Sequence, residues 1–395
     1  MRRRTFLKTA AVAPLVFGAG RLFAANSGGA KLLVVFMRGG YDAANLLVPI
    51  SSAFYYEARP NIAVPRPGSE MGSALAIDSD WALHPALETS LWPLFAKKQV
   101  AFIPFAGTED VSRSHFETQD SIELGQPLAG ERNFQSGFLN RLVAALSGNA
   151  HGMAFTDQLP LVFRGEVQVP NMALRSLAKP GVDARQADII RAMYRGTKLE
   201  ASVAEGFSVR DDVIRGMAGE MEMASRNAVS TRGFELEARR IAKMMVERYD
   251  VGFVDVGGWD THVGEGGANG YLATRLEELA RGLAGFADEM GPHWSDTVVV
   301  VVSEFGRTFR ENGNRGTDHG HGTVYWVLGG GIQGGRIVGE QVRVERANLF
   351  QDRDYPVLNE YRSVFAGLMS RMYGLGGDQL KTVFPGTRSH DLGLV

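Results

Sequence analysis

Residues 297–322 read "TVVVVVSEFGRTFRENGNRGTDHGHG", five consecutive valines running straight into Glu304, Arg307, Asp318, His319 and His321. A run that apolar is the pattern of a strand buried on both faces of a sheet. The residue types that follow are those that bind ions and carry protons. A buried strand is a rigid mount, and the loop that leaves it is where a site is placed.

Further strand candidates lie at 31–37 ("KLLVVFM"), 100–105 ("VAFIPF"), 161–163, 251–256 ("VGFVDV") and 324–328 ("VYWVL"). Between them come segments of helical period at 138–146, 184–194, 233–249, 271–290 and 358–373. In 271–290 the apolar residues Leu272, Leu276, Leu279, Leu283 and Phe286 recur at steps of three and four, which gives one core-facing stripe. Strands alternating with long helices predict an α/β fold with a doubly wound, mostly parallel sheet. Residues of about 183–248 read as a helical excursion, and 26–395 as one α/β domain.

Four of these strands empty into ligand-type residues. The first is followed by Arg38, Asp42 and Asn45, and the second by Ser112, Ser114, His115 and Asp120. The strand at 251–256 is followed by Asp260 and His262, and the valine strand by Glu304, Arg307, Asp318, His319 and His321. In an open parallel sheet the carboxyl ends share one edge, where ligands bind. The four clusters are therefore expected to converge. Asp260-x-His262 and His319-x-His321 place two side chains at i and i+2, which face one way if the backbone is extended. Asp with His suits zinc or manganese, and carboxylate alone suits calcium or magnesium. Five of the eight His, with His84 included, lie in or near these loops. Each group also has a plainer reading. Asp in a Gly-rich loop serves turns, and His319 and His321 serve as helix caps or partners of Glu304. Arg38 and Arg307 fit as buried partners of Asp42 and Glu304. A Ser before "HFETQDSIEL" is commonly an N-cap.

Composition narrows the classes. The 395 residues are 45% hydrophobic and 22% charged, enough for a large core. There is no Cys, which removes disulfides, thiolate zinc sites and Cys nucleophiles. The first 25 residues, "MRRRTFLKTAAVAPLVFGAGRLFAA", carry a basic start and a short apolar centre, with Arg3, Arg4, Phe6, Leu7 and Lys8 in the twin-arginine export pattern. Cleavage there takes the net charge from −2 to about −7, a poor balance for nucleic acid, and leaves no segment fit to span a membrane. The mature protein is expected in the periplasm or outside the cell, with the twin-arginine translocase as partner. No G-x-S-x-G elbow or phosphate-loop motif is present, and "GGGIQG" (329–334) runs into an extended segment where a dinucleotide fold needs a helix.

Together the leader, "LLVVFMRGGYDAANLLVP", "RSHFETQD", "GGWDTH" and "SEFGRTFRENGNRGTDHGHG" resemble an exported bacterial family catalogued as domain of unknown function fifteen-oh-one. The resemblance runs from about residue 30 to the C-terminal helix. That family is placed in the alkaline phosphatase and sulfatase superfamily, which implies an alkaline phosphatase-like core with one or two divalent ions at the strand ends. It implies Asp42, Asp260, His262, Asp318, His319 and His321 as metal ligands. It further implies Ser114, with Ser112 second, as nucleophile, and Arg38 or Arg307 as holders of substrate oxygens, with His115 beside them. The implied activity is hydrolysis of phosphate or sulfate esters of a small molecule or glycan. The alternative is an inactive exported relative that binds a glycan, an ion or a secreted partner. The sulfatase signature C/S-x-P-x-R is missing, and "RSHFE" differs from the superfamily's usual nucleophile motifs.

Overall fold

The computed structural model describes residues 29–172, 184–204 and 233–395. The export signal expected at 1–25 and much of the expected helical excursion lie outside these residues. Within the excursion, helices are formed by Ala184–Tyr194 and Phe234–Glu247.

The main sheet of the described residues has eight strands: β1 (Lys31–Met37), β2 (Val100–Gly107), β3 (Gly152–Ala154), β4 (Val251–Val256), β5 (Thr297–Ser303), β6 (Thr323–Leu328), β7 (Arg336–Ile337) and β8 (Asn359–Glu360). Their order is β7-β2-β6-β5-β1-β4-β3, with β8 also on β2. β1 pairs in parallel with β4 and β5, and β4 with β3. β6 alone runs antiparallel to its neighbours β2 and β5. Crossing two antiparallel pairings restores the direction, so β1, β2, β4 and β5 all point the same way.

The five valines behave as their chemistry requires. Val299 and Val301 join Leu33 and Val35 in the core on one face, under helices Phe234–Glu247 and Tyr271–Met290. Val298, Val300 and Val302 join Leu32 and Val34 on the other, under Phe138–Ala145 and Tyr361–Tyr373. Period-two alternation with both faces covered is what an uninterrupted apolar strand demands. The sheet is therefore doubly wound.

One expectation is corrected. Residues 161–163 form a 3-10 turn, in which Phe163 N–H donates to Pro160 and Arg164 N–H to Leu161. Val162 N–H donates to the Glu123 carboxylate and Phe163 N–H is spent within the turn, so neither joins a ladder, and Gly152–Ala154 forms the edge strand instead. The strand at 324–328 exists, but its reversed direction was not legible. That reversal matters for the loop 304–322, which leaves β5 and enters β6 at the same rim. The opening stretch is thus a loop held at both ends above the carboxyl edge.

Candidate metal centre

The register places the exits of β1, β4 and β5 side by side, since Met37 pairs with Val256 and with Ser303. The loops then approach closely. Gly39 has φ +126°, and a Cβ on it would stand 2.7 Å from the backbone nitrogen of Asp260. Only glycine lets the β1 and β4 exits meet there. Gly320 does the same for the β5 loop, because a Cβ on it would stand 2.5 Å from the carbonyl of Arg307.

At this rim His115, Asp260 and His319 each direct a ligand-type atom into a space where all lie within 4.8 Å of one another. His115 Nε2 is 3.0 Å from His319 Nε2 and 3.5 Å from Asp260 Oδ2. His319 Nε2 is 3.2 Å from Asp260 Oδ1. His262 adjoins them, its Nε2 being 3.1 Å from His319 Nε2 and 2.9 Å from Asp260 Oδ1. The cluster is open to solvent, with about a quarter to under half of each side chain exposed.

The opposite nitrogens decide what these rings are. His115 Nδ1 is 2.8 Å from the Glu304 carboxylate, His262 Nδ1 3.1 Å from that of Asp318, and His319 Nδ1 3.0 Å from the Arg113 carbonyl. Each partner is an acceptor, so each Nδ1 must carry the proton. In the neutral rings all three Nε2 atoms then present lone pairs to one region beside a carboxylate. Bare lone pairs about 3 Å apart repel. A cation between them turns the repulsion into coordination. The edge of a tetrahedral zinc site is about 3.3 Å for bonds of ~2.0–2.1 Å, so the separations fit. Imidazoles that give their far N–H to carboxylate or carbonyl are the usual outer arrangement of a metal site.

The surrounding charges support this. Burial opposes ionisation of Asp260, yet the bond and charge of Arg307, with His262 and His115, hold its carboxyl below the usual range. Burial also opposes ionisation of Glu304, but hydrogen bonds from His115, Gln119 and Gly39 keep it ionised. The bond to Glu304 raises the His115 pKa against burial. Burial and the nearby His115 and Arg307 lower that of His319.

Several expected roles change. Asp42 is closed off, because its carboxylate pairs with the fully buried Arg59 guanidinium. Asp318 stands behind His262 as a hydrogen-bond acceptor, shared with Asn312 at 3.1 Å. His321 is turned from the cluster, and its buried ring lies 4.9 Å from that of Phe350. The tight passage at Gly320 separates the two His of the His-x-His pair, whereas Asp260 and His262 do converge. Arg307 donates to Asp260, Thr317 and the Gly39 carbonyl, and Arg38 to Asp255, Gln119 and Glu123. Both guanidinia are engaged by protein acceptors, with neither of the partners expected for them. His115, expected at the catalytic residues, lies in the cluster with Asp260 and His319. His84 serves elsewhere, with Nδ1 accepting from Ala86 N–H and Nε2 facing the Gly267 carbonyl. Ser114 occupies the N-cap of helix His115–Leu124, but its side chain makes no capping bond. Glu304 and Gln119 are the supports that a residue-type reading undervalues, because their role depends on which nitrogen they face.

Residues 30–384 match the family model described as protein of unknown function, DUF1501. The chain belongs to this family. No curated protein matches its sequence. Among solved structures it is similar to Ps i-CgsB in complex with k-i-k-neocarrahexaose, at 8% identity and TM-score 0.35 over 92% of this chain and 75% of that one. It is also similar to the phosphonate monoester hydrolase of Agrobacterium radiobacter, at 11% identity and TM-score 0.31 over 90% of this chain and 78% of that one. Likeness at this level carries no functional argument for DUF1501 chains; the residues must.

Proposed function

We propose that this DUF1501 protein is an exported, metal-dependent hydrolase of phosphate or sulfate esters. The observation behind the reading is the set of three imidazoles whose Nδ1 protons are all given to fixed acceptors. His115, Asp260 and His319, with His262 adjoining, would hold a divalent ion, with zinc or manganese favoured by the nitrogen and carboxylate donors. Bound there, the ion would neutralise charge on an ester oxygen and lower the pKa of a hydroxyl. The chain's own contributions are positional. Glu304, Asp318 and the Arg113 carbonyl fix the ring tautomers, and Arg307 keeps Asp260 ionised and oriented. The half-buried Ser114 hydroxyl, free of a capping bond beside His115, is the candidate nucleophile.

The engagement of Arg38 and Arg307 by protein acceptors, Asp255, Glu123 and Asp260 among them, favours a second reading, a DUF1501 relative that binds an ion or glycan at this rim without turnover. Zinc or manganese analysis and assays on an aryl phosphate and an aryl sulfate separate the two. The hydrolase reading expects bound metal and turnover that falls on the order of a hundredfold or more in His319→Ala. Less than about a tenth of an equivalent of metal after reconstitution defeats the hydrolase reading and the ion-binding form of the second. Metal without turnover on a panel of esters leaves the binding reading. Among the described residues no helix is long and apolar enough to cross a membrane. Export rests on the leader, and replacement of Arg3 and Arg4 by Lys should hold the protein in the cytoplasm.

A further inference from the structure

Beneath the rim lies a second acidic cluster, made of Asp42 and Glu265 with Arg59. Both carboxyl groups are shut off from solvent, at 1% and 0% exposure, and so is Arg59, at 0%. Arg59 makes a complete set of bonds. Its Nε donates to the Phe309 carbonyl at 2.8 Å, Nη1 to Asp42 and to Asn45 Oδ1, and Nη2 to Asp42 Oδ1 at 3.0 Å and the Thr308 carbonyl at 3.2 Å. Five donors meet five acceptors, so the guanidinium is fixed. Glu265 Oε2 accepts from Thr261 at 2.8 Å and Thr317 at 2.9 Å. Its Oε1 is buried with no donor directed at it, and the charge of the buried Asp42 carboxylate acts on the same group. A carboxyl group with an oxygen shut in a dry core, without a donor and under the charge of a second carboxylate, keeps its proton.

We propose that the protein is a one-ion enzyme, in which the Arg59 guanidinium stands where the family resemblance would put a second cation and Asp42 and Glu265 share one proton. The inference rests on the metal-centre reading above and fixes its stoichiometry. One guanidinium, one carboxylate and one carboxylic acid already sum to neutrality, so a divalent ion there would carry uncompensated charge into the core. Burial and the Asp42 charge both push the Glu265 carboxyl well above its usual range, in keeping with this arrangement.

The test is metal content and infrared spectroscopy on full-length mature protein reconstituted with excess zinc and freed of loose ions. Wild type is expected to retain one equivalent and to show the band of a protonated carboxyl group at neutral pH. Glu265→Gln, whose amide can donate to Asp42 as the acid does, should retain the one equivalent and lose that band. Two equivalents in wild type, or loss of metal in folded Glu265→Gln, would overturn the one-ion inference while leaving the rim centre standing. Zero equivalents in wild type would remove the centre itself. If Glu265→Gln does not fold, the wild-type stoichiometry and band still decide.

Discussion

Glu304 accepts the Nδ1 proton of His115 at 2.8 Å, and this contact sets which face of the ring is turned to Asp260 and His319. Glu304 is fully buried and also accepts from Gly39 N–H at 2.8 Å, Gln119 at 2.9 Å and Ser303 at 3.1 Å. Four donors converge on one carboxylate, so it is held rigidly in its ionised form. In Glu304→Gln an amide N–H must face a donor, and the charge that makes His115 a better ligand is lost. Zinc affinity measured by competition with a chromophoric chelator should fall about ten- to a hundredfold. The melting temperature should fall as well, since an unpaired buried donor costs about 1–3 kcal/mol. Unchanged affinity in a folded variant would show that Glu304 does not orient a ligand.

Asp318 offers a graded comparison. It holds His262 Nδ1 as Glu304 holds His115, but its side chain is about half exposed (51%) and solvent can replace part of what it does. Asp318→Asn should therefore weaken zinc binding less than Glu304→Gln, by about tenfold or under. Asp260→Asn removes a ligand charge and leaves buried Arg307 without its carboxylate, so it should weaken binding most. The order Asp260, Glu304, Asp318 in chelator competition is the expected result. Asp318 ranking first would restore it as a direct ligand.

A different histidine governs acid stability. The His84 ring is fully buried, with Nδ1 accepting Ala86 N–H at 3.0 Å and Nε2 at 3.0 Å from the Gly267 carbonyl. Burial brings its pKa down to about 4, opposed by the Gly267 bond and Asp42. Between about 4 and the unfolded value of ~6.5 the unfolded chain binds a proton that the folded chain refuses. Stability from this group is present above that window and declines as pH falls through it, by up to about 1.4 kcal/mol per pH unit. Urea unfolding near neutral pH and near pH 5 should show a shallower loss in His84→Gln than in wild type. An identical slope would remove His84 from the account of acid unfolding.

The main strands and the rim were legible because buried strands are simple objects. β1, β4 and the long helix Tyr271–Met290 were readable to the residue from apolar periodicity alone. Convergence of the four strand exits followed from direction, since parallel strands leave at one edge. The reversed strand β6 was opaque, because buried parallel and antiparallel strands carry the same apolar pattern. Within the site, Asp260-x-His262 met as spacing suggests, while His319-x-His321 did not, because Gly320 abuts the Arg307 backbone. Sequence shows that Asp42 and Asp318 follow strands. It cannot show that Arg59, 17 residues past Asp42, reaches back to close it, or that Asp318 turns to a ring nitrogen.

Ser114 is where the catalytic reading is most exposed to test. Ser112 does the local structural work, its Oγ accepting Ser114 N–H at 3.3 Å and lying 3.4 Å from Thr118 Oγ1. Ser114 Oγ makes no capping bond, so a typical N-cap loss of about 1 kcal/mol is not expected from Ser114→Ala. Its stability change should stay below about 0.5 kcal/mol, and its zinc content should equal that of wild type, since no ligand is touched. Ester turnover is expected to fall by about a thousandfold or more, the signature of a removed nucleophile. Ser112→Ala should do the reverse, with a lower melting temperature and turnover reduced only slightly. Full turnover in Ser114→Ala would move the nucleophile to solvent, with the metal site retained. A large stability loss in Ser114→Ala would return this serine to the capping role that its position before the helix first suggested.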